Sequence, residues 1–98
     1  MNLGNALKTL REARGMTRIE LAKLMSKGGV YAASDVAYFE ERKEWSVKGL
    51  EEDFAAALHI PVSLFLLFAA DDEELVPNTA LTAKIRQLAL DLMRPEEG

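Results

Sequence analysis

Short stretches of helical periodicity, each ended by glycine or proline, constrain the fold of this chain most strongly. Leu3, Leu7 and Leu10 recur at three- and four-residue steps, which places their side chains on one face of an α-helix. Gly28 and Pro61 interrupt later periodic stretches, because glycine and proline are unfavourable inside a helix. The sequence therefore predicts several short amphipathic helices.

The composition favours an all-α fold in a single domain. The chain has 98 residues, of which 49% are hydrophobic and 7% aromatic, enough apolar material for one modest core. Cysteine is absent, which excludes disulfides, thiolate metal sites and a cysteine nucleophile. The longest apolar run, at residues 64–70, is far shorter than the roughly 20 residues that span a bilayer. With no signal-peptide pattern at the N-terminus, we expect a cytoplasmic protein without a membrane contact.

Capping residues predict where the first four helices begin and end. Gly15 follows the first periodic stretch and is suited to the left-handed residue after a helix. Thr17 and Glu20 have the spacing of a capping box at the start of a second helix. A third helix is expected within residues 31–42, and Ser46 is expected to cap a fourth helix.

The second half of the chain predicts a fifth helix, a linker and a last helix. Pro61 is suited to the start of the fifth helix. An acidic, proline-containing stretch then indicates a linker. The predicted organisation is a domain at 1–70, a linker at 71–78 and a C-terminal helix at 79–94.

The last helix carries an apolar seam with the 4-3-4 spacing of a coiled coil. Its members are Leu81, Ile85, Leu88 and Leu92. A helix this short is marginal on its own, so the seam must be buried somewhere. It either packs against its own domain or pairs with the same helix of a second copy, and we expect the pairing to form a homodimer.

Charge is distributed unevenly along the chain. Residues 1–50 carry nine Lys and Arg against six Asp and Glu, whereas residues 51–98 carry three against ten. The net charge is −4, yet attraction to DNA depends on the local field of the contacting face rather than on the total. The basic first half is therefore compatible with a contact to DNA.

Three sequence motifs occur in order between residues 7 and 67. They read LREARGMTRIELA at residues 10–22, VAYFE at 36–40 and IPVSLF at 60–65. Together they resemble the phage-repressor (Cro-like, XRE) helix-turn-helix family. The resemblance implies a five-helix, lambda-repressor-like domain followed by a C-terminal amphipathic helix. It also implies double-stranded DNA as the partner, with the third helix in the major groove.

The resemblance assigns roles to individual residues. Arg11 matches an arginine of the first helix that pairs with a glutamate of the third helix, here Glu40, in a partly buried, architectural ion pair. Removing one partner of such a pair leaves the other charge buried. The residues expected to contact DNA are Arg18, Lys27, Arg42 and Lys43 at the phosphates and Ala32, Ala33, Ser34 and Tyr38 at the bases. From charge alone, the basic residues fit a solvated surface equally well.

The expected base-reading residues are small or uncharged. None of them is the Arg, Asn or Gln that reads guanine or adenine through two hydrogen bonds. Ser34 and Tyr38 are then the candidates for contacts to bases or thymine methyl groups, and recognition of DNA shape is the alternative. Tyr38 has a second interpretation, in which its ring merely covers the hydrophobic edge beside Phe39.

These observations predict a dimeric, sequence-specific DNA-binding transcriptional regulator that acts as a repressor. The alternative is an interaction module on the same fold, such as an antitoxin, whose acidic second half neutralises a basic, toxin-like partner protein. An enzyme is not expected, because the chain has no cysteine, one histidine and no glycine-rich phosphate loop. Neither a cofactor nor a metal is expected, because the acidic linker has no further ligands beside it.

Overall fold

Helices form the regular secondary structure of the described residues. This computed structural model describes residues 1–25, 31–70 and 79–94, with the backbone alone for 79–82, and no strand occurs in these ranges. The helices are α1 Leu3–Ala13, α2 Arg18–Met25, α3 Ala33–Glu40, α4 Leu50–Ala57, α5 Val62–Ala69 and α6 Thr79–Met93. The all-α expectation is confirmed. The predicted linker at 71–78 lies outside the described residues.

The boundary between α1 and α2 follows the predicted caps. Gly15 has a φ of 68°, in the left-handed region where glycine is favoured. Thr17 Oγ1 accepts a hydrogen bond from the N–H of Glu20, and Glu20 Oε1 accepts one from the N–H of Thr17, each at 3.1 Å. The backbone bond from Thr17, with a smaller contribution from its hydroxyl, holds the pKa of Glu20 below its ordinary value. The predicted capping box is confirmed.

The start of α4 differs from the prediction. The helix begins at Leu50, with Gly49 at its cap in the left-handed conformation (φ 79°), so Ser46 does not cap it. Ser46 is exposed in the preceding loop. The first turn of α4 instead carries three acidic residues, at positions 51–53, where the positive end of the helix dipole stabilises negative charge. The prediction from the residue type of Ser46 was wrong because these acidic residues favour the later start.

α1 lies at the centre of the domain. It packs against α3 and α5, and α2 packs against α3 and α4. The side chains between these helices form one apolar core, which excludes water from the contacts that hold the helices together. Its largest fully buried members are Leu7, Leu10, Leu21, Val36, Leu50, Phe54, Leu58 and Phe65.

Trp45 anchors the loop between α3 and α4. Its ring centroid lies 5.2 Å from that of Phe54, 5.8 Å from that of Phe65 and 5.7 Å from that of Phe39. The indole Nε1–H donates a hydrogen bond to the carbonyl oxygen of Phe39 at 3.0 Å. A half-buried tryptophan thus has its apolar ring covered and its polar group satisfied, and the loop is held against the core.

The N-terminus of α1 rests on the C-terminal end of α3. The backbone N–H of Leu3 donates to the carbonyl oxygen of Lys43 at 2.9 Å. The N–H of Gly4 donates to the carbonyl oxygen of Arg42 at the same distance. A Cβ atom at Gly4 would collide with that Arg42 oxygen, so only glycine allows this approach.

α6 is attached to the domain through one of its faces. Arg86 Nη2 donates hydrogen bonds to the carbonyl oxygens of Leu67 and Ala70, each at 3.0 Å, at the end of α5. Met93 is buried, and its carbonyl oxygen accepts a hydrogen bond from Arg14 of α1 at 3.5 Å. Arginine side chains at a helix C-terminus satisfy carbonyl oxygens that have no partner within the helix. α6 therefore packs against its own domain.

The apolar seam lies on a different face of α6. Ile85, Leu88 and Leu92 are 45%, 62% and 85% exposed. Leu81 belongs to the part of α6 for which only the backbone is described. Contact with the domain thus leaves the described part of the seam uncovered.

Candidate nucleic-acid interface

The outward face of α3 carries small and uncharged side chains. Ala32, Ser34 and Tyr38 are exposed, and Ala33 is partly buried. Ser34 and Tyr38 share one side of the helix because they lie four residues apart. The carboxylate of Asp35 is used as a cap, since its Oδ2 accepts a hydrogen bond from the N–H of Ala32 at 2.8 Å. The four residues expected to read bases are thus brought together on the first two turns of α3.

A buried ion pair holds α3 against α1. Arg11 Nε lies 2.6 Å from Glu40 Oε2, and Arg11 Nη2 lies 3.3 Å from Glu40 Oε1. The two side chains are 11% and 1% exposed. The remaining Arg11 Nη1 group donates to the carbonyl oxygen of Met16 at 2.8 Å. The ion pair that the sequence predicts is present, and it has the two-pronged geometry that makes an arginine–carboxylate pair specific.

Arg18 joins the same carboxylate from the start of α2. Its Nε donates to Glu40 Oε1 at 3.1 Å, while its side chain stays 44% exposed. The sequence pattern did not predict this bond. The shared partner fixes the stem of Arg18. Glu12 Oε1 also lies 3.9 Å from Arg11 Nη2, so the formal charges of the two arginines and the two carboxylates balance.

Arg42 lies over the ring of Tyr38. The guanidinium carbon is 3.9 Å from the ring centroid, a cation–π contact. The four-residue spacing between the two positions is the signal by which the sequence could have predicted this contact. Tyr38 remains 50% exposed, and its ring also contacts that of Phe39 at a centroid distance of 5.3 Å.

Charges of both signs border the outward face of α3. Arg42 and Lys43 are exposed directly after the helix, and Glu41 and Glu44 are exposed in the same segment. The formal charges of this segment therefore cancel. The attraction of an anion to this surface therefore depends on the position of each cation more than on a broad positive potential.

Neither a single membrane-spanning helix nor a metal-binding cluster occurs among the described residues. α4 and α5 reach the length and hydropathy of a span only when they are taken together, and they are bent by 110° at their junction. No three His, Cys, Asp or Glu side chains in the described ranges stand close enough to share a metal ion.

Seven of the eight residues expected to contact DNA belong to the described part of the chain. They lie at the start of α2, along α3 and directly after α3. Lys27, the eighth, lies outside the described residues. No protein-family model, curated protein or solved structure matches this chain.

Proposed function

We propose that this chain is a sequence-specific DNA-binding transcriptional regulator, a repressor that binds as a homodimer and places α3 in the major groove. One observation carries the proposal: α3 presents small side chains and Tyr38 to solvent, beside the exposed cations Arg18, Arg42 and Lys43. The major groove admits an α-helix, and small side chains on its outward face allow a close approach to the bases. In this proposal α2 and α3 form a helix-turn-helix unit.

The start of α2 is suited to hold a phosphate. A helix N-terminus attracts anions through its N–H groups and its dipole. Arg18 is the first residue of α2 and uses Nε for Glu40, which leaves its two Nη groups for a phosphate oxygen. Contacts of this kind fix the position of the protein on DNA without reading its sequence.

Arg42 supplies charged hydrogen-bond donors, which the outward face of α3 otherwise lacks. Its guanidinium is oriented by the ring of Tyr38, and a planar guanidinium is the side-chain group that most often reads guanine. In this proposal the stacked pair of Tyr38 and Arg42 contacts bases, and Arg18 and Lys43 contact phosphates.

Binding to the DNA upstream of the chain's own gene tests the proposal. Fluorescence anisotropy at physiological salt should give a Kd of about 10 nM or lower for a near-palindromic site, in the range of specific complexes. With about four phosphate contacts in the dimer, from Arg18 and Lys43 of each copy, log K should fall with log salt concentration with a slope of about −4. A folded protein that binds no DNA below micromolar concentration would contradict the proposal.

Two substitutions separate the roles of the residues. Arg18→Ala should weaken binding to specific and unrelated DNA equally and make the salt dependence shallower by about two contacts per dimer. Tyr38→Ala should weaken binding to the specific site alone, by about 10- to 100-fold. Lys8→Ala, on the exposed side of α1, is the matched control and should bind like the wild type. Equal losses on both DNAs for Tyr38→Ala would exclude base reading by this residue.

A further inference from the structure

The uncovered face of α6 is the largest feature that the DNA-binding proposal does not use. Ile85, Leu88 and Leu92 expose apolar surface on one side of the helix, while Arg86 and Met93 hold another side to the domain. At 3.6 residues per turn the seam and the attached side point roughly 130° apart. The seam is therefore free to meet another helix while α6 stays on its domain.

Two charges of opposite sign flank the seam. Lys84 and Asp91 are both exposed and lie seven residues apart, so they stand on the same side of the helix about two turns from each other. The carboxylate of Asp91 is held in place by Gln87, whose Nε2 donates to Oδ1 at 3.1 Å. Arg94 Nη2 also lies 3.5 Å from Oδ1, with a side chain that is 71% exposed. The flank thus presents the cation Lys84 and, two turns away, the half-exposed carboxylate of Asp91 with Arg94 beside it.

Lys84 and Asp91 of two copies lie opposite each other only when the two α6 helices run antiparallel. When two copies of α6 run antiparallel with Ile85 opposite the partner's Leu88, Lys84 faces the partner's Asp91, and Asp91 faces the partner's Lys84. In a parallel pair the flanking position opposite Lys84 is the partner's Ala89, which carries no charge. Flanking charges of this kind set helix orientation and register in paired helices.

We propose that two copies of this chain pair through antiparallel α6 helices, with Ile85 and Leu88 in the central layers and two reciprocal ion pairs between Lys84 and Asp91. Leu92 of each copy then covers the first turns of the partner's helix. The two-fold axis is perpendicular to α6, so the interface is isologous. This proposal gives an orientation and a register to the homodimer of the proposed function, and it does not require that the protein bind DNA.

Charge reversal in the full chain, without DNA, tests the orientation. In a Lys84→Glu homodimer each introduced glutamate faces an Asp91, and in an Asp91→Lys homodimer each introduced lysine faces a Lys84. Each single variant should therefore weaken dimerisation by about tenfold at low salt in sedimentation equilibrium. A mixture of the two variants should form heterodimers with near wild-type affinity, because both of its ion pairs then join opposite charges. The double variant K84E/D91K should also recover the homodimer.

Two further variants complete the experiment. Leu88→Glu should give a monomer at all concentrations, since it places a charge in a central layer. Ala83→Glu changes the charge on an exposed position away from the seam and should leave the dimer intact. A wild-type chain that stays monomeric at about 100 μM would overturn the proposal, as would a mixture of the single variants that forms no heterodimer. Anisotropy with DNA is measured separately, so a failure of DNA binding remains distinguishable from a failure of pairing.

Discussion

At the scale of single residues, Glu40 has the largest effect on the candidate interface. Its buried carboxylate accepts hydrogen bonds from Arg11 of α1 and Arg18 of α2. Charge-assisted bonds to both oxygens offset the cost of burying the charge. One side chain thus fixes α3 relative to the two helices beside it.

Neutralising Glu40 should destabilise the fold. We expect Glu40→Gln to lower the free energy of unfolding by about 3 kcal/mol, because Arg11 then loses its buried counter-charge and keeps only the exposed carboxylate of Glu12 at 3.9 Å. Urea denaturation followed by circular dichroism gives this value. The matched change Glu41→Gln alters an exposed neighbour and should shift stability by less than about 0.5 kcal/mol. Equal losses in the free energy of unfolding for Glu40→Gln and Glu41→Gln would show that the buried ion pair stabilises the fold no more than an exposed carboxylate does.

At the scale of helices, the sequence predicts the boundaries that are set by residues close together in the sequence. The start of α2 follows from Thr17 and Glu20, which cap it within four residues of sequence. The start of α4 does not follow from Ser46. The acidic first turn at 51–53 favours the later start, and contacts distant in sequence hold the loop before it. Trp45 in that loop packs against Phe54 and Phe65, and no local pattern shows such contacts.

The cap of α2 should make stability depend on pH. The pKa of Glu20 is held below its ordinary value of 4.5, so its ionised form is favoured in the folded chain. This contribution is complete above the unfolded pKa and is lost as the pH falls through the lower, folded pKa. We expect the stability difference between wild type and Glu20→Gln to be larger at pH 7 than at pH 3.

Thermal unfolding at the two pH values measures this difference. Thr17→Ala, which removes the hydroxyl acceptor, should cost about 1 kcal/mol at pH 7. A stability difference between wild type and Glu20→Gln that is larger at pH 3 than at pH 7 would contradict this role of the Glu20 carboxylate.

At the scale of the whole molecule, the first residues of the chain close the domain. The N–H of Asn2 donates to the carbonyl oxygen of Ala69 at 2.6 Å, while those of Leu3 and Gly4 bind the segment after α3. The N-terminus of α1 therefore connects the ends of α3 and α5. Hydrogen bonds over this separation satisfy N–H groups that have no partner within α1.

Substitution of Gly4 should disrupt the contact between the N-terminus of α1 and the segment after α3. The Cβ of Gly4→Ala would collide with the Arg42 carbonyl oxygen, and we expect a loss of about 3 kcal/mol in the free energy of unfolding. Gly49→Ala is the control, because a Cβ there meets open space and the cost is that of a positive φ alone, about 1 kcal/mol. Calorimetry on the two variants compares them. A smaller loss at Gly4 than at Gly49 would contradict the close contact.

The sequence predicts the periodicity of α6 but not how α6 is attached. The 4-3-4 spacing identifies Ile85, Leu88 and Leu92 as one apolar stripe. The attachment depends instead on Arg86, whose partners are carbonyl oxygens at the end of α5. Every residue has a carbonyl oxygen, so the sequence does not show which of them an arginine binds. From the sequence alone, Arg86 cannot be distinguished from an arginine that only contacts solvent.

The closure at the N-terminus has a consequence for folding during synthesis. The amide groups of Asn2 and Leu3 are synthesised well before their acceptors, the carbonyl groups of Ala69 and Lys43. At about 5–20 residues per second, the delay amounts to seconds. The hydrogen bond between Asn2 and Ala69 therefore forms only after residue 69 has emerged, and the domain completes its native contacts no earlier.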